Sequence, residues 1–210
     1  MGVSIASAGV CAALPAAAQN EAPREAPREG TQFTRVEPPV PPAANGKIEV
    51  LEFFSYACQH CNAFEPSVDA WSKKLPADVS FKRVPVHFLM NAENFARTYY
   101  ALETIGQVDA LNRKIFAAVH VDRLRLDKLD DIAALVAKNG GDAAKFTSAF
   151  NSFSVATSVT RAKKLAESYK LDGVPTMAVQ GRHVTSPGLA GGPERALAVV
   201  DYLVARARKA

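Results

Sequence analysis

The 210-residue sequence has few cysteines, no clustered run of basic residues and no long, strongly hydrophobic segment. Its three cysteines include one closely spaced pair, which excludes a structural zinc site because such a site needs four ligands. The net charge of +4 is mild and the basic residues are scattered among acidic ones, unlike those of a nucleic-acid-binding protein. With 48% hydrophobic and 22% charged residues, the composition is that of one globular domain, with or without an inserted subdomain.

The first eighteen residues lack Lys, Arg, Asp and Glu and are rich in small residues. Three alanines at 16–18 precede Gln19 in a pattern typical of a signal-peptidase site, so we predict a signal peptide over residues 1–18. A basic n-region is missing, which keeps a disordered Ala-rich terminus open as the alternative. A membrane anchor is disfavoured because the apolar run is short and weakly hydrophobic. A lipid-modified cysteine is disfavoured because Val10, not a small residue, precedes Cys11.

Residues 19–46 are rich in proline and include Pro-Pro-Val-Pro-Pro at 38–42. Proline at this density prevents a helix or a central strand, so we predict an extended, flexible linker over 19–46. Within it, the segment 32–36 alternates polar and apolar residues, a pattern consistent with a short edge strand.

The sequence Cys58-Gln59-His60-Cys61 follows an apolar segment and opens a helical pattern. Its spacing brings two sulfur atoms together within one helical turn, at a helix N-terminus whose free N–H groups and dipole favour a thiolate. Removal of the signal peptide leaves these two cysteines, which fits one local disulfide in an exported protein. A disulfide that closes so small a ring stabilises the fold little, so the pair indicates thiol–disulfide chemistry.

The residues of this motif suggest different roles. Cys58, at the helix N-terminus, is the candidate nucleophile, and Cys61, on the apolar face, is the candidate resolving or buried thiol. His60 can donate a hydrogen bond to the Cys58 sulfur and, when protonated, add positive charge; the alternative is an idle, exposed side chain. Covalent haem needs a histidine where Asn62 stands, and no other cofactor or metal is predicted. The remaining histidines show no ligand spacing and are assigned to the core or surface: His87, His120 and His183.

Hydrophobic periodicity predicts an α/β fold that begins with a βαβ unit over residues 47–90. The segment 48–54 is β-branched and aromatic, and 79–88 alternates, so we predict two parallel strands. A helical pattern from Cys58 to Leu75 joins them, with the crossover expected of parallel neighbours.

Residues 91–153 are helical in pattern and contain no strand candidate, which indicates a helical insertion between two halves of the fold. The second half, 154–210, is predicted to contain a long helix, a hairpin that turns at Gly181-Arg182, and a C-terminal helix. The stretch Gly173-Val174-Pro175 precedes the hairpin and indicates a tight turn, for which a trans proline is the default.

Four features together resemble the DsbA family of periplasmic thiol:disulfide interchange proteins: the segment Phe53–Cys61, the helical insertion, Asn151-Ser152-Phe153 and Gly173-Val174-Pro175. The resemblance extends from about residue 32 to the C-terminus, with the order of elements intact. It implies a thioredoxin fold with an inserted all-helical subdomain. It also implies a cis bond between Val174 and Pro175, packed against the cysteine pair, where an extended substrate backbone docks.

The same resemblance implies an oxidase that donates its Cys58–Cys61 disulfide to folding exported proteins through a mixed disulfide at Cys58. It implies a soluble, monomeric protein of the periplasm, reoxidised by a membrane partner of the DsbB type. Two alternatives stay open. A reductase or isomerase is disfavoured because the linker is too poor in apolar residues to form a dimerisation domain and because Val174 stands where those enzymes often have Thr. The other is a non-catalytic peptide-binding or chaperone module.

Two positions depart from the family pattern. Gln59 stands where the family most often has proline, and this dipeptide tunes the redox poise. Glu52 matches the family's buried acid, but the usual lysine partner falls at Pro85. We therefore predict either that Arg83 or Lys82 pairs with Glu52, or that Glu52 is unpaired with a raised pKa.

Overall fold

The computed structural model describes Gly2 and residues 25–42 and 46–209. The predicted signal peptide, apart from Gly2, and Cys11 lie outside the described residues, as does the first part of the predicted linker. No helix within the described ranges is long and apolar enough to cross a membrane.

The centre of the fold is a mixed sheet of five strands: β1 (Thr34–Arg35), β2 (Ile48–Phe54), β3 (Val79–Pro85), β4 (Thr176–Val179) and β5 (His183–Thr185). Their spatial order is β1-β5-β4-β2-β3. The central strand β2 is parallel to β3 and antiparallel to β4. Every residue of β2 is buried, because helices cover both faces of the sheet at this strand.

Helices account for most of the remaining described chain. The helix α1 (Gln59–Ser72) joins β2 to β3 and completes the predicted βαβ unit. Four helices then form the insertion: α2 (Ala92–Thr104), α3 (Val108–His120), α4 (Leu129–Lys138) and α5 (Ala143–Phe150). Three follow it: α6 (Phe153–Ser168), α7 (Pro187–Ala190) and α8 (Pro193–Ala207).

The insertion shares its hydrophobic core with the end of β2. Phe54, the last residue of that strand, contacts Tyr56 edge-on, with ring centroids 5.3 Å apart. Tyr56 in turn packs against Phe116 of α3 at 4.9 Å. Because these rings belong to both units, the insertion is held against the segment that leads to Cys58.

Part of the predicted flexible linker packs onto the sheet. Within the predicted edge segment 32–36, β1 pairs with β5 at the border of the sheet, and Phe33 and Val36 are buried. The N–H of Val36 donates to the carbonyl of Arg182 at 2.9 Å, which extends the attachment beyond β1. The prolines of this segment do not prevent strand pairing, because neither of the two residues that pair with β5 is a proline. Burial of Phe33 and Val36 stabilises the attachment. The domain limits themselves stay predictions.

Candidate active site

The two cysteines occupy the first turn of α1. Cys58 is the N-cap residue in an extended conformation, and its Sγ accepts a hydrogen bond from the N–H of Cys61 at 3.2 Å. Sulfur thus satisfies one of the free N–H groups of the helix end. Both cysteines are free thiols here, so the structure describes the reduced form, and the disulfide between them stays a prediction.

The environments of the two thiols differ. The pKa of Cys58 is lowered to about 6, chiefly by a hydrogen bond from the Cys61 thiol, with desolvation opposing it and the N–H groups of Cys61 and His60 assisting. Burial, followed by the hydrogen bond to Cys58, raises the pKa of Cys61 far above its ordinary range. Cys58 is only partly buried, whereas Cys61 is 1% exposed. At neutral pH the site therefore holds one accessible thiolate beside one buried thiol.

The residues between the cysteines are both exposed. His60 assists the lowered pKa of Cys58 through its backbone N–H first and its charge second, and Gln59 lies beside it at the start of α1. The largest stabilisation of the Cys58 thiolate therefore comes from Cys61 rather than from the imidazole that the sequence suggested.

The Val174–Pro175 bond lies against the cysteine pair and is cis, as the resemblance implied. In its thiol form, Cys58 donates to the carbonyl oxygen of Val174 at 3.4 Å. A cleft of about 390 Å³ opens beside this contact. Its walls are largely apolar and include His60, Phe64, Val174, Pro175 and Pro187.

Beneath the active site, Glu52 is paired with Arg83 and not with Lys82. The two residues are direct partners in the β2–β3 register, and Arg83 Nε donates to Glu52 Oε2 at 3.0 Å. Arg83 also donates to Glu65 of α1, at 3.1 Å, so two carboxylates share one guanidinium. Burial raises the pKa of Glu52 to about 7, with the charge of Arg83 opposing the shift. Both sequence-based alternatives therefore apply in part: Glu52 is paired, and its pKa is still raised.

Sequence reasoning missed three residues around the active site. Glu65 lies on the buried face of α1, one helical turn after Cys61, and this spacing was the available signal. Asn112 and His120 belong to α3 and reach the turn before Cys58 from another part of the chain. No local pattern marks them. Among the described residues, no group of three or more possible metal ligands comes together.

The site places an accessible thiolate at a helix N-terminus, next to a buried partner thiol and a cis-proline loop. Together with the topology of the sheet, this arrangement defines a thioredoxin-type thiol:disulfide oxidoreductase. The family model of the DSBA-like thioredoxin domain matches residues 75–194. The chain therefore belongs to the DsbA family, with a helical insertion in its thioredoxin fold. Membership implies substrate proteins with cysteines and a partner that reoxidises the dithiol.

Individual relatives resemble the chain over most of its length. It is 44% identical over 201 residues to the thiol:disulfide interchange protein DsbA of Bordetella parapertussis, covering 95% of this chain and 96% of the relative. The DsbA of Pseudomonas aeruginosa is 40% identical over 181 residues, or 86% of each chain. A crystal structure of that protein matches with a TM-score of 0.82, over 87% of this chain and 95% of its own. The DsbA of Xylella fastidiosa matches at 30% identity and a TM-score of 0.80, over 88% and 99%.

Proposed function

We propose that this protein oxidises cysteine pairs in folding exported proteins, by passing on its Cys58–Cys61 disulfide through a mixed disulfide at Cys58. The observation that carries the proposal is the asymmetry of the two thiols: Cys58 has a pKa of about 6, whereas that of Cys61 is strongly raised. Stabilisation of the Cys58 thiolate favours the reduced protein over the disulfide, which makes the disulfide an oxidant.

The reaction consists of two exchanges. In the first, a substrate thiolate attacks Cys58 Sγ, the Cys58–Cys61 bond breaks, and the departing Cys61 sulfur takes up a proton because its pKa is high. In the second, another substrate thiolate attacks the substrate sulfur of the mixed disulfide and releases Cys58 as a thiolate. A thiol of low pKa is a good leaving group, so the lowered pKa of Cys58 favours release of the oxidised substrate. Two electrons pass from substrate to protein.

The neighbouring residues have supporting roles in this proposal. His60 and Gln59 tune the stability of the Cys58 thiolate, His60 through its N–H and its charge. Glu52, on β2, is a buried carboxyl that can bind a proton, and its negative charge raises the pKa of Cys61 when it is ionised. The loop at Val174 and Pro175 docks an extended substrate backbone next to Cys58, which is supported by the 3.4 Å contact with Val174.

We place the protein in the periplasm, as a soluble monomer. The small-residue N-terminus typical of an exported chain and membership in the DsbA family support this location. A DsbB-type membrane protein would remove the two electrons and restore the Cys58–Cys61 disulfide.

Redox equilibration against glutathione, combined with thiolate absorbance across pH, tests the proposal. We expect a titration midpoint near pH 6 and an equilibrium in which the protein oxidises glutathione readily. The Cys61→Ser variant keeps Cys58 and should form a mixed disulfide with a peptide that carries an activated disulfide, whereas Cys58→Ser should not.

Two results would overturn the proposal. A Cys58 pKa near 9 with a strongly reducing potential would make the protein a reductase. Substrate oxidation retained in Cys58→Ser would remove the enzymatic role of the pair and leave a peptide-binding module.

A further inference from the structure

We infer that His120, in the helical insertion, is a positioning residue for the catalytic turn and holds Cys58 in the geometry that stabilises its thiolate. His120 ends α3, 64 residues from the carbonyl group that it contacts. The inference rests on the proposed role of Cys58 as the reacting thiol. It assigns to the insertion a direct part in setting the reactivity of the thioredoxin-fold active site.

The turn from Ser55 to Cys58 is held by three hydrogen bonds. The N–H of Cys58 donates to the Ser55 carbonyl at 3.0 Å, and the N–H of Ala57 donates to Ser55 Oγ at 3.1 Å. The carbonyl of Tyr56 belongs to the same peptide unit as the Ala57 N–H, and it lies 2.8 Å from His120 Nε2. A carbonyl oxygen only accepts, so Nε2 carries the proton and donates it. Ser55 and His120 therefore hold this peptide unit from opposite sides.

The imidazole of His120 is itself held in place. Its ring stacks on Phe116, one turn earlier in α3, with an interplanar angle of 26°. Eight residues before His120, about 12 Å along the helix, Asn112 accepts a hydrogen bond from the Tyr56 hydroxyl at 2.6 Å. Asn112 also donates to Glu65 of α1 at 2.7 Å. Two points on α3 thus anchor the side chain and the carbonyl of Tyr56.

The position of the turn matters because Cys58 follows it directly as the N-cap of α1. The N–H of Cys61 reaches Cys58 Sγ at 3.2 Å only while Cys58 keeps its extended N-cap conformation. Rotation of the Tyr56–Ala57 peptide would turn the Cys58 backbone and lengthen this bond. Loss of the donor at His120 removes the restraint on that rotation, so its effect should appear in the ionisation of Cys58.

Three variants test this inference: His120→Gln, His120→Asn and, as a control, His183→Asn. The side-chain amide of glutamine places an N–H donor at about the same distance from the backbone as His120 Nε2. The amide of asparagine is one bond closer to the backbone and cannot contact the Tyr56 carbonyl. His183 lies on β5, beside Val179 at the end of the sheet opposite Cys58. Thiolate absorbance of the reduced proteins is followed across pH, with circular dichroism to verify folding.

We expect His120→Asn to raise the Cys58 pKa by about one unit, a tenfold loss of thiolate relative to thiol, with a matching shift in the glutathione equilibrium. His120→Gln and His183→Asn should titrate as the wild type does. A folded His120→Asn protein with the wild-type titration, or His120→Gln shifted as far as His120→Asn, would overturn the inference. A wild-type midpoint near pH 9 would instead overturn the proposed function, so the two failures are distinguishable.

Discussion

Glu52→Gln is expected to stabilise the protein at alkaline pH and to leave its stability unchanged at acidic pH. Glu52 is 1% exposed and shares the single guanidinium of Arg83 with Glu65. Burial raises its folded-state pKa to about 7, from an ordinary value of 4.5. Glutamine keeps the shape of the protonated side chain, and Arg83 retains Glu65 as its counter-ion in the variant.

The sign follows from proton linkage. A carboxyl with a raised pKa binds its proton more tightly in the folded state, so its contribution to stability is fully present below pH 4.5 and is lost as the pH rises through about 7. The rise from 4.5 to about 7, at 1.36 kcal/mol per unit, corresponds to about 3 kcal/mol. Glutamine does not ionise, so Glu52→Gln should gain about 3 kcal/mol over the wild type above pH 8.

Urea unfolding at pH 4 and pH 8.5 measures this difference. The oxidised protein is used, so that the titration of Cys58 does not contribute. Glu167→Gln, at a side chain that is 53% exposed, controls for the loss of one negative charge. If Glu52→Gln is no more stable than the wild type at pH 8.5, ionisation of Glu52 does not lower the free energy of unfolding. Such a result would refute the raised pKa of Glu52 in the folded state.

The remaining predictions concern the thiolate and the N-terminal segment. The Cys58 pKa is lowered from 9 to about 6, so the thiolate stabilises the reduced fold fully above pH 9 and loses this effect as the pH falls through 6. The reduced protein should therefore gain stability over the oxidised protein between pH 6 and 9, as urea unfolding of both forms would show; a pH-independent difference would contradict the low pKa. Gly181→Ala should destabilise the fold strongly, because its Cβ would overlap the backbone carbonyl oxygen of Val40, at a φ of +62°. Gly106→Ala, at +68° in open space, should cost only about 1 kcal/mol, and equal losses of Tm would show that the segment at Val40 is not held there.

Much of the fold and the centre of the site could be predicted, because the relevant signals are local. One helical turn relates Cys58 to Cys61, so their spacing alone predicts paired sulfurs at a helix N-terminus. Alternation predicts β3 and three-to-four periodicity predicts α1, which together suffice for the βαβ unit. The packing of the N-terminal segment could not be predicted from the sequence. Its proline content predicts an extended chain, but it does not show whether Phe33 and Val36 are buried against the rest of the fold.

The sequence by itself determined the redox pair, the order of the elements apart from the short helix α7, and the two candidate partners of Glu52, Arg83 and Lys82. Only the tertiary structure decided that the partner is Arg83, because the register between β2 and β3 joins residues 31 positions apart. It also decided that Cys61 outweighs His60 in stabilising the Cys58 thiolate, since a hydrogen bond depends on where a donor points. His120 reaches the catalytic turn through the packing of α3, and no periodicity in the chain encodes such a long-range contact.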